Sequence, residues 1–553
     1  MIIDARTLES GRTVEADLCI VGAGAAGITL VHALGGLGLS IIVLEGGGLR
    51  FDAASQSLYQ GEIAGHPYEL DTSRIRFFGG STNAWSGFSH PFEQQQFAQR
   101  AWVPDSGWPL SRTDLDPDYE RAMALLGIDK AAFGPSSAAA SAADGTATPN
   151  ALSGADDSVV THVAQLNRRR RRFGRVFRPE LRQRTDVRVF LHANVTRLNL
   201  DPNASAITSI DVACLDGPRF QARAGLVVLA CGGIENARLL LLSNDRQTAG
   251  LGNGNGLVGR YFMEHPTYTP ARFEPGNPDF PVGRYDVCHA LLRRDIVSEL
   301  CVSAARQEKE GLLHGGTFIV PVYRGERSPG VVAAKAARKL AGRGMAAYAL
   351  RHSLKLAANS HNILSFACGF YTQAQWLVRD YELYVHLEQA PNPDSRVLLS
   401  DRRDRLGLNE VRLDWRLTGL DRHTLARTLE VLDEDLHRRR IGRLRPMASP
   451  APHDREPGWI WHHMGTTRMH PDPKRGVVDV DSRMHGIGNL YVAGSSIFPT
   501  SGNHTPTLTI IAMTFRLAAH LRRQLCRPPL VVGTDAAGGT RLPANRSSVA
   551  AAE

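Results

Sequence analysis

The run Gly22-Ala23-Gly24-Ala25-Ala26-Gly27 puts three glycines at the spacing that lets a backbone close on a phosphate. Gly22 permits a sharp turn, Gly24 removes the side chain where a pyrophosphate would approach, and Gly27 lets a helix pack closely on the preceding strand. Ala26 lies inside the same loop. For this chemistry the loop must join a strand to a helix, so that the free N–H groups and positive dipole end of the helix face the anion. The sequence supplies both: the apolar run from Ala16 to Val21 comes just before, and Ile28 to Leu34 carries apolar residues at helical spacing. A second apolar run, Ser40 to Leu44, ends on Glu45, at the tip of the next parallel strand. A carboxylate there accepts hydrogen bonds from an adenosine ribose, which favours FAD or NAD over a 2′-phosphorylated cofactor. The plainer alternative is a glycine-rich structural turn, and the motif alone does not say which dinucleotide binds.

Further elements must stand around that unit. Arg74 to Gly87 is so rich in small residues that it reads as a loop held against something flat, or as an ordinary glycine-rich connection. Trp102 to Pro109 is a turn rich in indoles, and Leu115 to Leu126 reads as an amphipathic helix. Residues 133–157 hold too few large apolar groups to offset the entropy of ordering and read as a mobile surface insertion. Val187 to Val195 returns to strand patterning. Gly225 to Gly233 reads as a buried parallel strand ending on a glycine turn, with a helix from Ile234 to Ser243. This repeats the logic of the first unit and makes the nucleotide lobe discontinuous. Residues 271–320 alternate as antiparallel strands of a second lobe, Tyr384 to Leu399 and Glu410 to Trp415 are further strands, and Asp421 to Arg440 is a helix. Ser328 to Asn359 is a basic amphipathic helical region, read as covering the second lobe; the alternative is docking on a membrane surface or a partner. Near the C-terminus come Trp459 to Met469, a strand from Asn489 to Ser496 ending on small residues, and Phe498 to Thr509, which opens a helix to about Arg522.

Composition narrows the class. A chain of 553 residues exceeds one ordinary core, and 43% hydrophobic with 22% charged residues is the balance of a soluble globular protein. There is no run of apolar residues of transmembrane length, and the polar N-terminus reads as cytoplasmic. Seven scattered cysteines with no CxxC pair disfavour zinc, an iron–sulfur cluster and a disulfide framework, so no metal is expected. The net charge of +9 is dispersed except at Arg168 to Arg172, which reads as a solvated basic face or loop because no aromatic residues interleave it; nucleic acid is not an expected partner.

These blocks, in this order, resemble the glucose–methanol–choline (GMC) family of flavin oxidoreductases over roughly residues 15–130, 185–270 and 380–525, and within it the bacterial branch related to pyranose oxidases and sugar or polyol dehydrogenases. His463-Met464-Gly465-Thr466-Thr467-Arg468-Met469, Asn489 to Thr500 and Pro506 to Ile510 carry the likeness. The resemblance implies an α/β GMC fold: a discontinuous Rossmann-like FAD-binding lobe (1–50, 185–270, 455–526) and a substrate lobe on an antiparallel sheet with helices (51–184, 271–454). Residues 74–87 would cover the flavin, and 527–553 read as a disordered tail. The resemblance also settles the dinucleotide as FAD. Gly79, Gly80, Ser81, Asn83, Ala84 and Trp85 should pass along the isoalloxazine, Val195 near the adenine, and Ala230 to Gly232 beside the adenosine. Gly494 and Ser495 should lie at the pyrophosphate and ribityl chain, with Thr505 and Thr507 near the pyrimidine edge. Ala84 falls where pyranose oxidases carry a histidine joined to the flavin, so the FAD is expected to be non-covalent.

The implied reaction is oxidation of CH–OH to a carbonyl by hydride transfer to flavin N5, with a histidine base removing the hydroxyl proton. Matching Thr467-Arg468-Met469 to the family puts that base at His462, with the adjacent His463 as rival. The second catalytic position aligns strictly on Thr505, where the chain departs from the family's His or Asn; His504 or Asn503 is favoured to reach the substrate oxygen instead. The expected substrate is a sugar, glycoside, amino sugar or polyol. The alternatives are an apolar alcohol such as a sterol, or a redox-inactive flavin scaffold or lyase on the same fold. The electron acceptor, whether dioxygen, a quinone or a protein, has no signature in the sequence.

Overall fold

The computed structural model describes residues 1–133, 158–293, 295–339, 353–447 and 456–525. The insertion expected at 133–157 lies outside these residues except for Phe133, and the tail expected at 527–553 lies wholly outside them.

Two large sheets and a small one organise the chain. The first is eight-stranded. Thr13–Val21 pairs in parallel with Ile41–Leu44 on one side and with Arg219–Leu229 on the other. Val187–Leu191 and Ile2–Asp4 extend one edge in parallel, and Leu490–Val492 joins Arg219–Leu229 in parallel at its C-terminal end. Ile207–Ala213 and Asn194–Leu200 complete the sheet as an antiparallel meander. The near-continuous apolar runs in the central strands follow from burial on both faces: Leu18, Cys19, Ile20, Ile41 and Ile42 have no exposed surface. The crossover helix Ala25–Ala33 lies on one face, beside the helix Thr507–Leu525.

Helix Arg112–Leu126 was expected with the second lobe, but it packs on Thr507–Leu525 and shares the first sheet's core through Leu115, Tyr119 and Met123. The Tyr119 hydroxyl meets Thr509 Oγ1 at 2.8 Å. Its apolar face was legible in the sequence, but the partner that would bury it was not. The cap was local: Ser111 Oγ accepts from Asp114 N at the start, and Gly127 ends the helix in the left-handed region.

The second sheet is seven-stranded and antiparallel throughout. Gly315–Tyr323 pairs with Val378–Leu387 and with Ile296–Val302, which in turn pairs with Val159–Gln165. Alternation decides its chemistry. Val385 and Leu387 pack with Leu425, Leu432 and Leu436 of helix Gly419–Arg438, while Tyr384 and His386 line a cavity on the opposite face. A three-stranded sheet of Arg396–Arg403, Asn409–Asp414 and Gly61–Ile63 buttresses the junction.

The five arginines at 168–172 lie on a loop as expected, but they are not simply a solvated face. Arg168 donates to Ala290 O and Leu291 O, Arg170 to Leu125 O, and Arg171 to Ser86 O. Arg172 donates to Thr82 O and Trp85 O. The run staples carbonyls of the loop at Thr82, Trp85 and Ser86 and of the last turns of the helices Arg112–Leu126 and Val287–Arg293.

Candidate active site

The first and second sheets enclose between them a cavity of about 880 Å³, at the upper end for ligand pockets. One end is the glycine loop. Gly22 adopts φ +102°, and a Cβ there would lie 2.6 Å from Ala230 O. A Cβ on Gly27 would lie 2.0 Å from Gly22 O, so only glycine lets the helix sit this close to the turn. Gly24 is different: nothing lies within 4 Å of its would-be side chain, and it faces the cavity together with Ala26. The helix Ala25–Ala33 starts at Gly24 without a side-chain cap or an acid in its first turn, which leaves its N–H groups for an anion.

Glu45 lines the same cavity, and its carboxylate accepts from Ala23 N at 2.9 Å and Gly47 N at 2.8 Å. Burial raises its pKa against those hydrogen bonds. Val195, Ala230, Gly232, Gly494 and Ser495 line the wall along from it. This cradle is open where a pyrophosphate needs room and is acidic where a ribose needs an acceptor, so it fits a dinucleotide.

The loop expected to cover the ring lies across the cradle. Gly79 N donates to Ala23 O at 2.8 Å, and a Cβ on Gly80 would lie 3.0 Å from Gly24 Cα. Gly80, Ser81, Ala84 and Trp85 line the cavity, whereas Gly79 and Asn83 are not among its lining residues. Asn83 instead holds the loop, donating to Phe78 O and Gly80 O. The Trp85 indole N–H donates to Arg171 O at 2.6 Å.

The two adjacent histidines diverge. Trp461, in left-handed backbone at φ +66°, precedes them. His463 Nε2 meets the Tyr68 hydroxyl at 2.7 Å, Tyr68 donates to Glu264 at 2.6 Å, and burial pulls the His463 pKa down to about 3. His462 Nδ1 instead meets His265 Nδ1 at 2.9 Å, and the His462 backbone N–H donates to both Glu264 oxygens, at 2.8 and 3.0 Å.

The tautomer follows from bonding. His265 Nε2 faces Ser501 O at 3.3 Å, and a carbonyl only accepts, so Nε2 carries the proton. Burial takes His265 to about 3, so the ring is neutral and its Nδ1 is bare. His462 must then donate from Nδ1, which leaves Nε2 as its basic nitrogen, with no protein partner among the described residues. Burial above all holds the His462 pKa well below the usual imidazole value. Burial raises Glu264 to about 7, although Tyr68 and the amides of His265 and His462 hydrogen-bond to its charged form.

Of the three residues at the second position, Asn503 Oδ1 accepts from Gln96 at 2.8 Å and Thr505 Oγ1 donates to Phe88 O at 2.7 Å, so both tie loops together. His504 Nδ1 pairs with Glu299 at 3.2 Å, its ring lies 3.9 Å from that of His90, and its Nε2 is buried without a hydrogen-bond partner. All three line the cavity with Thr507. Glu299 also meets His386 Nε2 at 3.1 Å; burial opposes its charge, but the hydrogen bonds from His386 and His504 win and hold its pKa well below the usual value. This polar floor faces an apolar approach of Val287, Leu291, Phe318 and Val320. Glu264, His265, Glu299 and His386 were missed in the sequence. The one available signal was polar residues interrupting runs otherwise patterned for burial.

A sequence profile described as GMC oxidoreductase matches residues 391–514. The chain is 22% identical to the fructose dehydrogenase large subunit of Gluconobacter japonicus, over 92% of this chain and 98% of that one. It is 25% identical to paromamine 6′-oxidase of Streptomyces fradiae, over 91% and 90%. Among solved structures, pyridoxine 4-oxidase from Mesorbium loti superposes with a TM-score of 0.57 at 19% identity, covering 92% of this chain and 99% of that one.

Proposed function

We propose that this chain, a member of the GMC family and an FAD-dependent oxidoreductase acting on CH–OH donors, oxidises a hydroxyl of a sugar, glycoside, amino sugar or polyol with His462 as the base. The observation that carries the reading is the bare Nε2 of His462 in the same cavity as the open glycine cradle. When bound, FAD supplies the acceptor for the hydride that leaves the carbinol carbon. Gly22, Gly24 and Ala26 with the helix N-terminus would hold its pyrophosphate, Glu45 its ribose, and Gly80 to Trp85 would lie along its ring.

His462 Nε2 takes the hydroxyl proton, and its Nδ1–H stays donated to His265, so the positive charge that develops on the ring is met by a fixed acceptor. His504 is the group we assign to the substrate oxygen, because Asn503 and Thr505 are committed to Gln96 and Phe88. Glu299 orients His504 through Nδ1 and keeps its Nε2 directed at the substrate. The relatives' action on fructose and paromamine supports a polyhydroxylated substrate, and so does the floor of Glu299, His386 and His504. The apolar approach at Leu291 and Phe318 suits a glycoside carrying an apolar aglycone; it also favours, as a second reading, an apolar alcohol such as a sterol.

Anaerobic titration of the yellow protein with sugars, glycosides, polyols and a sterol tests both readings. Bleaching by a polyhydroxylated alcohol, lost in His462→Ala, is the expected result. Bleaching by the sterol alone would transfer the assignment to the second reading. A bound flavin that no alcohol reduces would overturn both.

A further inference from the structure

Several chain segments meet beside the loop that carries His504, and each brings an imidazole or a carboxylate. Ser89 exchanges backbone hydrogen bonds with Gln165, at 2.8 and 3.0 Å, which lays His90 beside the strand Val159–Gln165. On that strand His162 stands directly opposite Glu299 of the strand Ile296–Val302, so the two side chains share one face of the sheet. Glu93 precedes the short helix Gln94–Phe97, whose Gln96 donates to Asn503, the neighbour of His504.

The three imidazoles crowd together. Their ring centroids lie 3.9 Å apart for His90 and His504, 5.5 Å for His162 and His504, and 5.7 Å for His90 and His162. One ligand atom each from His90, Glu93 and His504 lies within 4.8 Å of the other two, and the same holds for His162, Glu299 and His504. Donors on a tetrahedral zinc stand about 3.4 Å apart, so any pair in either set has to close by about 1.4 Å at most.

Hydrogen bonding leaves one nitrogen of each ring for an ion. His90 Nδ1 lies 2.7 Å from Pro91 O, and a carbonyl only accepts, so Nδ1 carries the proton and the neutral ring keeps Nε2 free to accept. His504 commits Nδ1 to Glu299, and its Nε2 is buried with no hydrogen-bond partner among the described residues. His162 faces Glu93 through Nε2 at 3.5 Å, and its Nδ1 is likewise buried and unpartnered. A ring anchored through one nitrogen on a carbonyl or carboxylate, with the other nitrogen unused, is how histidines ligate metals. The substrate oxygen would satisfy His504 and leave the nitrogens of His90 and His162 unmet.

We propose that His90, Glu93 and His504, with His162 and Glu299 beside them, form a site for one divalent transition-metal ion of the zinc class, and that this ion and the alcohol exclude each other. Imidazole nitrogens joined by carboxylate oxygens select zinc, nickel or copper over magnesium and calcium, which take oxygen ligands. His90 and His504 line the cavity, so an ion can reach them from it. The exclusion rests on the role given to His504 above: its single free nitrogen meets the ion or the substrate oxygen, not both. The sequence disfavours metal on cysteine spacing, but these five residues are spread from 90 to 504 and have no spacing to read.

The test is calorimetric titration of the untagged, full-length, FAD-loaded protein with zinc chloride. One ion per chain should bind with a dissociation constant below about 10 μM, and magnesium chloride should not displace it. His90→Asn, which keeps a donor for Pro91 O, and Glu93→Gln should each weaken zinc at least tenfold while melting temperature and flavin absorbance stay unchanged. In anaerobic flavin reduction, zinc should raise the alcohol concentration needed for half the maximal rate at least tenfold without lowering that maximum, and a chelator should reverse the effect. No zinc binding, binding that both variants leave intact, or equal binding of magnesium would overturn the site. Zinc that binds and leaves the alcohol dependence unchanged would overturn the exclusion. A flavin that no alcohol reduces would remove the functional reading, while calorimetry would still decide the site.

Discussion

Replacing His265 by leucine tests whether the proposed base, His462, is prepared by its neighbour or merely sits beside it. The substitution removes one neutral imidazole–imidazole hydrogen bond of 2.9 Å, the bond that fixes the proton of His462 on Nδ1. Such a bond is worth about 0.5–1.5 kcal/mol net, so flavin reduction at saturating alcohol should slow about two- to thirteenfold. Removing the proposed base in His462→Ala should cost about 10²- to 10⁴-fold, or about 2.7–5.5 kcal/mol of barrier. The two losses therefore differ by at least an order of magnitude at their centres.

The second readout is acid–base. The neutral His265 accepts from His462 Nδ1–H and so favours the charged imidazole; in His265→Leu the acid limb of the rate profile should therefore move to lower pH. A purely structural role for His265 would leave that limb in place. His265→Gln can donate to Ser501 O and still accept from His462, so it should recover most of the rate. Anaerobic stopped-flow reduction across pH measures all of this. A wild-type rate and an unmoved acid limb in His265→Leu, or a rate within threefold of wild type in His462→Ala, would refute the reasoning.

With His462 in its proposed role as base, the active form is the neutral ring, whose pKa lies well below the usual value, so the reduction rate should stay flat from about pH 8 to below about pH 6.5 and fall only in stronger acid. Arg172→Ala removes two donors to the loop carbonyls of Thr82 and Trp85 and should raise the FAD dissociation constant about tenfold, read by fluorescence on flavin release. Gly27→Ala drives a methyl to 2.0 Å from Gly22 O; the purified protein should lose bound flavin and about 1–3 kcal/mol of stability in a denaturant titration.

Glu388 and Arg100 form a buried pair at 2.5 Å, and Glu388→Gln should cost about 3–5 kcal/mol by leaving the guanidinium uncompensated. Burial opposes the Glu388 charge, but Arg100 outweighs it and the pKa falls to about 2. The stabilisation from this shift is complete above the unfolded carboxylate pKa and is lost as the pH drops toward about 2. Melting curves of the variant should accordingly lose part of the wild type's acid sensitivity between about pH 5 and pH 2.

What the sequence determined by itself is local. Gly22 and Gly27 are dictated by a positive φ and by a 2.0 Å approach, conditions set within one strand–turn–helix, so spacing alone revealed them. The same holds for Glu45 at a strand tip. Tertiary structure decided whatever depends on which residues meet. His462 and His463 are chemically alike and adjacent, and only the positions of His265 and Tyr68, far away in sequence, give one a bare nitrogen and the other a tyrosine partner. Arg168 to Arg172 looked like solvated charge because the sequence does not show that the loop at Thr82 to Ser86 has carbonyls to satisfy. Glu299, His386 and His504 share one buried network only because a sheet strand and a C-terminal loop converge on the same floor. Conformational demands act within a few residues and leave a pattern in sequence; hydrogen-bond satisfaction and desolvation act through space and leave none.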